Sequence, residues 1–502
     1  IMGFSAGGHL AASAATMLPE EVRPAFAVLV YPVITAEPGK CHKGSFDNLL
    51  GTDRTAGDEA QWSLQNRVTA STPPTLLLLA DDDRTVPPVN STLFYEALKR
   101  NGVKGCSLRI YPSGGHGGAL DPECNIQFGE GGAGAYSDGK LTTRIGDALC
   151  ETVLKTLAEH GAPADIVKKA KPHVGTDILK DVVRKMRQEI VKYGGEVHFR
   201  TALTGVSVKN GVLSGVRADG MDIPCERAVL AVGHSARDTF FALHENGVYF
   251  EPKAFSVGVR IEHLQRDIDR ALYGKHAGHP LLPPAEYNLS RRADGRACYS
   301  FCMCPGGVVV AAQSEEKTVV TNGMSYHARS GDNANAALAV SVDPADFDNG
   351  TPFGGVALQR EIEHAAYAQT GSYRAPCQRV GDFLADRPTR KPGEVRPTYP
   401  VGVEYGHAAA SLPDFAQKML RDSLPYFGRK IRGYDSADAL LTGPETRTSS
   451  PVRMKRGDDL FGLGCEGLIP CGEGAGYAGG IMSAAVDGIR AAFRIMEEFA
   501  QL

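Results

Sequence analysis

Residues 467–490 read GLIPCGEGAGYAGGIMSAAVDGIR. The stretch reads in order as a strand, a glycine loop and a helix. Successive backbone N–H groups at a helix start stabilise negative charge. Glu473, just before that start, can accept from a hydroxyl. Gly474-Ala475-Gly476-Tyr477-Ala478-Gly479 satisfies G-x-G-x-x-G, but a dinucleotide fingerprint needs a second strand ending in an acid. None follows before Leu502, so the stretch is not expected to be the ADP-binding fingerprint. The alternative is a glycine-rich helix start that only allows close packing.

Working outward, Gly129-Glu130-Gly131-Gly132-Ala133-Gly134 is a second literal match. It follows a short strand-like segment, yet AYSDGKL does not continue as a clear helix. In Asp177–Tyr193, Ile178, Leu179, Val182, Val183, Met186 and Ile190 recur at helical spacing, and Gly194-Gly195 stops the run. Strands are expected over Glu196–Arg200, Thr204–Lys209 and Val212–Arg217. Asn210-Gly211 between the last two signals a hairpin, because a type I′ turn needs two residues at positive φ. Arg227–Val232 reads as a buried strand ending at Gly233, whose plain reading is a strand-end turn. Residues 251–435 mix short strands, turns and helices and read as an inserted substrate or cap domain.

Residues 1–117 have a different character. Phe26–Val33 and Thr75–Ala80 are continuous apolar runs of the buried parallel-strand kind. Ser91–Asn101 is an amphipathic helix closed by Gly102, and Ser107–Tyr111 is another strand. Gly3-Phe4-Ser5-Ala6-Gly7 is a nucleophile elbow, with small residues relieving crowding at a sharp turn. A serine nucleophile needs a base, and the base needs an orienting acid. Asp83 follows one buried strand and His116 lies in a glycine loop after the next, with Asp81 and Asp82 as neighbouring candidates for the acid. The pattern changes inside GGHGGALDPE without a tether.

At 502 residues there is room for two to four domains. A net charge of −4 gives no reason to expect nucleic acid or an anionic membrane as partner. No apolar run approaches the ~20 residues of a membrane span. Eleven cysteines without a paired framework favour reduced thiols and a cytoplasmic setting. Cys298, Cys302 and Cys304 cluster in CYSFCMCPGG. A CxC pair can hold a metal or act in redox chemistry, but no second pair follows for a zinc site, so no metal is expected. Packing is the plain reading of this cluster.

The stretch 1–117, through GFSAGGHLAAS, LVYPVIT and the loops of Asp83 and His116, resembles the acetyl-esterase and lipase-like α/β-hydrolases. The resemblance implies Ser5 as nucleophile, Asp83 as orienter and His116 as base. Residues 119–502 resemble a bacterial family of FAD-dependent dehydrogenases, the NAD(P)/FAD-dependent oxidoreductases. The matching text includes DPECNIQFGEGGAGAYSDGKLTTRI, AVLAVGHSARDT, YSFCMCPGG, ETRTSSPVR and GEGAGYAGGIMSAAVDG. This implies FAD, NAD(P)H as electron donor and a small-molecule substrate. It also implies that Gly129, Gly131, Gly132 and Gly134 line the flavin region and that Gly233 lies at the crossover out of the FAD domain. Gly472, Glu473, Gly474, Gly476, Gly479 and Gly480 would carry flavin-side contacts. Arg447, Arg453, Lys140 and His327 are candidates for holding an anionic substrate, and Glu445 could instead pair with Arg447.

The expected fold class is α/β: a truncated α/β-hydrolase sheet (1–117), then an FAD/NAD(P)-binding-type domain lacking its first βαβ unit (118–250 and 436–502), interrupted by an inserted α+β domain (251–435). The strand entering the elbow, the upstream His-Gly-Gly loop and the region after His116 are expected to be missing, leaving little esterase activity. In the second part, hydrolase sequence stands where the ADP-binding unit belongs. Three lost charge-assisted hydrogen bonds at ~1.5–3 kcal/mol each would weaken FAD binding roughly 10³-fold. The leading expectation is an impaired FAD-dependent oxidoreductase. The alternatives are a serine carboxylic-ester hydrolase from residues 1–117, or a non-catalytic chimera of two neighbouring genes.

Overall fold

The apolar runs of the first hundred residues form one parallel sheet of four strands: β1 (Met2–Phe4), β2 (Ala27–Val30), β3 (Thr75–Ala80) and β4 (Ser107–Tyr111), in the order β1-β2-β3-β4. The expectation that no strand enters the elbow is corrected: β1 runs straight into the helix Ser5–Met17. Three residues are too few for any periodicity to reveal. Ala11, Ala12 and Ala15 of that helix and Phe94 and Leu98 of the helix Val89–Arg100 share a core with Leu29 and Leu77.

This computed structural model describes residues 1–81, 83–111, 126–143 and 145–499. The chain divides into two compact units, Ile1–Glu123 and Cys124–Leu502, each considered by itself. Among the described residues no helix is long and apolar enough to cross a membrane.

In the second unit the hairpin forms as expected from Asn210-Gly211. β5 (Leu203–Lys209) and β6 (Val212–Ala218) flank it, with φ 53° and 81° at the two turn residues, and β7 (Met221–Pro224) extends the sheet. Glu196–Arg200 is not a strand. β8 is only Ala228–Leu230, and Val229 is 43% exposed, so it is not buried on both faces as expected.

The remaining strands are β9 (Phe250–Pro252), β10 (Phe255–Leu264), β11 (Ser290–Ala293), β12 (Arg296–Cys304), β13 (Val308–Ala311), β14 (Thr321–Met324), β15 (Asn333–Val342), β16 (Ala375–Arg379), β17 (Val403–Tyr405), β18 (Leu440–Glu445), β19 (Val452–Met454) and β20 (Leu468–Pro470). Seven of them make a sheet in the order β11-β12-β15-β10-β18-β16-β17. It takes β18 from beyond residue 435, where the inserted segment was expected to end. β10 and β15 pair antiparallel over their whole length and are buried almost throughout. β10 alternates Phe255, Val257, Val259 and Ile261 with Ser256, Arg260 and Glu262, yet both faces are buried, the polar one through partners such as Glu445 for Arg260 and Thr398 for Glu262. Leu420, Leu424 and Phe427 of the helix Asp414–Gly428 share the core with Val257, Val259 and Leu338. β20 pairs parallel with β8.

A buried ionic hub ties these pieces together. Glu363, on the helix Gly354–Thr370, accepts from both guanidinium nitrogens Nη1 and Nη2 of Arg237 at 3.0 and 2.9 Å. It also accepts from Nε and Nη2 of Arg447 at 2.8 and 3.0 Å and from Thr446 Oγ1 at 2.6 Å. Arg237 also reaches Glu315 and Gln359, and Arg447 reaches Ser235 and Ser314. Burial opposes the Glu363 charge, but the two guanidiniums prevail and hold its carboxyl at about 2.

Removing one partner of such a hub strands the others in a dry interior. Glu363→Ala is expected to lower stability by about 3–5 kcal/mol in urea denaturation; a change below about 1 kcal/mol would contradict this reading. Because the Glu363 value is depressed on folding, its contribution is complete above the unfolded value of 4.5 and is lost as pH falls toward about 2.

Candidate functional site

β20 delivers the chain into the glycine loop 472–480, and the helix Ile481–Phe499 leaves it. The loop is pinned at several points. Gly472 N–H donates to Asp487 Oδ2 at 2.7 Å, and Arg456 holds the same carboxylate. Cys471 N–H donates to the Leu230 carbonyl, and Ser450 Oγ donates to that of Gly474. Gly474 lies directly against Gly233: a Cβ there would sit 2.4 Å from the Gly233 carbonyl oxygen. Gly476, at φ 86°, is equally hemmed in by the backbone of Val452 and Arg453. These glycines allow close backbone approach. Around Gly479 and Gly480, by contrast, no atom lies within 4 Å of where a Cβ would point.

That open space belongs to a cavity of about 1150 Å³. Its walls bring together Gly134, His234, Glu473, Gly479, Gly480 and the start of the last helix, with Cys302, Glu445 and Arg447 from elsewhere in the unit. Four expected site residues, Gly134, Glu473, Gly479 and Gly480, therefore share one wall system. Gly129, Gly131 and Gly132 do not line it; they shape the turn into a 3-10 helix, Gly132–Tyr136, all three at positive φ. Gly131 packs on Val183. Gly233 backs the loop at Gly474, and Gly472 anchors its first turn to Asp487.

The electrostatics of the cavity are unusual. Burial raises Glu473 to about 7, with Lys253 opposing and Cys302 reinforcing the shift. Burial likewise raises Glu445 to about 7 against the pull of Arg260, whose Nε lies 2.9 Å from Glu445 Oε2. That contact is a charge pairing outside hydrogen-bond geometry, and Oε2 has no hydrogen-bond partner. The possible Glu445–Arg447 pair is thus corrected: Glu445 pairs with Arg260 and Arg447 with Glu363. Burial, with Arg447 and Arg237 nearby, lowers His234 to about 3. Its neutral ring contacts Ser235 Oγ through Nδ1 at 2.8 Å. Of the four candidate anion holders, Lys140 and Arg447 line the cavity, and Arg453 and His327 do not.

As at any helix start, the first-turn N–H groups lack intrahelical acceptors, and here Gly480, Ile481, Met482 and Ser483 line the cavity. The site thus offers two carboxyl groups poised near neutrality, a neutral imidazole and a partly positive helix start. Among the described residues, no group of three His, Cys, Asp or Glu side chains is placed to hold a metal. The sequence shows Cys302 in a cysteine cluster and Glu445 as a possible partner of Arg447 and gives His234 no site role; the fold brings all three to the cavity wall.

In the first unit, Ser5 sits between β1 and its helix with φ 51°. A non-glycine residue in that conformation is the strained turn that an elbow requires. Gly3 is obligatory, because a Cβ there would lie 2.1 Å from the Gly7 carbonyl oxygen. Asp83 is buried, and its Oδ1 accepts from the N–H groups of Thr85 and Val86, both at 2.9 Å. His116 and the competitor Asp82 lie outside the described residues.

Comparison with known proteins follows the same division. Residues 254–448 match the family described as "FAD-dependent protein, C-terminal domain-like", and residues 1–127 match the prolyl oligopeptidase family. An "Uncharacterized protein" of Clostridium beijerinckii is 51% identical over 385 residues, covering 76% of this chain and 72% of its own. An acetylxylan esterase of Xylanibacter ruminicola is 48% identical over 120 residues, covering 23% of this chain and 25% of its own. A solved acetyl ester-xyloside bifunctional hydrolase from Caldicellulosiruptor lactoaceticus shares 40% identity, covering 23% of this chain and 46% of its own, at a TM-score of 0.22. The chain therefore spans about a quarter of that esterase and under half of that hydrolase. The N-terminal region is α/β-hydrolase-like.

The raised value of Glu473 has a consequence for stability. A carboxyl whose value is raised on folding favours the folded state most below its unfolded value of 4.5, and that advantage is lost as pH rises through about 7. Glu473→Gln is expected to be neutral near pH 4.5 and to gain about 1 kcal/mol over wild type at pH 8 in urea denaturation. An equal effect at both pH values would contradict the assignment.

Proposed function

The chain belongs to the family of the Clostridium beijerinckii protein and carries a region like the C-terminal domain of FAD-dependent proteins, and from that premise we propose that its second unit is the flavin- and substrate-bearing part of an FAD-dependent oxidoreductase. The single observation that carries this reading is the convergence of the glycine loop, the last helix and Glu473 on one large cavity. A volume of about 1150 Å³ leaves room for a tricyclic ring and a small substrate together.

The donor set fits the ring end of a flavin. First-turn N–H groups favour the ring edge that gains negative charge, and Glu473 can accept from a ribityl hydroxyl. When bound, the flavin supplies two-electron transfer. The chain's own groups bind, orient and hold protons. Glu445 and Glu473 can each keep or release a proton near neutral pH, and neutral His234 can donate or accept a hydrogen bond. The substrate we propose is a small molecule. The ADP half of FAD finds no counterpart: among the described residues of this unit no strand, glycine loop, helix and second parallel strand follow one another as an ADP-binding βαβ does. NAD(P)H has no support in the comparisons.

FMN and FAD should therefore bind alike, with dissociation constants within about threefold by quenching of flavin fluorescence. Gly479→Val, placed where no atom stands within 4 Å, should weaken both by about tenfold or more while leaving the unfolding midpoint unchanged. Absence of quenching by either flavin would overturn the proposal. FAD binding a hundredfold tighter than FMN would overturn the claim about the ADP half.

A second reading is a serine carboxylic-ester hydrolase centred on Ser5. It is favoured by the positive φ of Ser5 between β1 and its helix. A fluorophosphonate should label Ser5 in the wild type and leave Ser5→Ala unlabelled. Equal labelling of both, or of neither, would contradict this reading.

A further inference from the structure

The CxC cluster on β12 is placed for chemistry of its own. β12 loses register with β15 between Phe301 and Cys304, and within that bulge Cys302 takes φ 43°, a left-handed conformation rare for a side-chain-bearing residue. Such strain recurs where the chain must aim a functional group. Cys302 is half-buried and lines the large cavity; Cys304 is fully buried behind it. Cys304 Sγ lies 3.3 Å from the Cys302 carbonyl oxygen.

Two cations clamp the bulge: Arg260 Nη1 donates to the Cys302 carbonyl at 2.8 Å, and Lys140 Nζ donates to that of Met303. The groups acting on Cys302 are Cys304, Arg260, Lys140, Asp138, Glu445 and Glu473. A hydrogen bond from the Cys304 thiol, helped by Arg260 and Lys140, holds the Cys302 thiol below its ordinary range, against burial and the Asp138 charge. Burial and the same neighbour push Cys304 up. This division suits an attacking and a resolving thiol.

We propose that Cys302 and Cys304 form a redox-active dithiol that exchanges with a small organic disulfide entering the cavity. The Cys302 thiolate attacks one sulfur of the disulfide. A mixed disulfide forms, the substrate S–S bond breaks and one thiolate leaves. Cys304 then attacks the Cys302 sulfur and gives its proton to the departing thiolate. The substrate disulfide is reduced by two electrons to two thiols, and the protein pair is oxidised by two electrons to a Cys302–Cys304 disulfide. An added dithiol reverses the exchange. This goes beyond the flavin reading and does not depend on flavin being bound.

The test uses the full-length wild-type chain without added flavin. Brief iodoacetamide labelling at pH 7, followed by peptide mass mapping, should modify Cys302 about tenfold faster than Cys41 or Cys150, which are also part-exposed. After glutathione disulfide treatment and alkylation, the tryptic peptide 297–317 should carry one alkyl group and lack two hydrogens, where its reduced form carries three alkyl groups. Fragment ions should place the bridge between Cys302 and Cys304 with the alkyl group on Cys298, and dithiothreitol should reverse the bridge. Cys304→Ser should instead retain glutathione on Cys302. Labelling of Cys302 no faster than the reference thiols, a bridge to Cys298, or a stable glutathione adduct on wild-type Cys302 without a bridge would each overturn the proposal. Flavin titration of the same sample reports separately on the flavin site, so failure of one reading is distinguishable from failure of the other.

Discussion

Glu363 holds two arginines in the dry interior of the second unit, and the geometry of the cavity depends on that contact. Arg237 follows the segment leaving β8, Arg447 follows β18, and Glu363 belongs to the helix Gly354–Thr370. One carboxylate thus sets the spacing between a strand end, a sheet strand and a helix. Each of the three charges would be costly alone in that environment, and together they satisfy one another with hydrogen bonds near 3 Å. Burial keeps the neighbouring His234 neutral, with the two arginines of the hub reinforcing and Glu363 opposing.

Glycine plays two distinct parts around the same cavity. At Gly474 and Gly476 the missing side chain lets the loop lie against other backbone, which brings β20 and its helix up to the end of β8. At Gly479 and Gly480 it leaves space unfilled. The first part builds the wall and the second leaves room for something to occupy it. Arg260 serves a parallel purpose across the cavity: fully buried, it joins the Cys302 carbonyl, Asn322 and Glu445. The carboxyls that remain near neutrality, Glu445 and Glu473, line the space between these two constructions.

Local signals were legible in the sequence and long-range ones were not. The Asn210-Gly211 hairpin and the helix Thr176–Lys192 depend on residues within a few positions of each other, and both form where their patterns place them. β10 alternates apolar and polar residues yet is buried on both faces, and β10 and β15 pair with partners far away in the chain, so neither their register nor the inclusion of β18 could be read from local pattern. The strand before Ser5 is only three residues long. Among the glycines of 472–480, nothing local separates those that pack from those that face open space. Glu445 stands two residues from Arg447, which suggested a pair; the register of β10 against β18 gives it to Arg260 instead.

The most direct test of the flavin reading is a crystal structure of the full chain grown with FMN. The expected result is the isoalloxazine ring bound in the cavity, bordered by Glu473, Gly479 and Gly480 on the loop side and Cys302 on the other. Flavin bound elsewhere on the chain, or an empty cavity at saturating FMN, would contradict it.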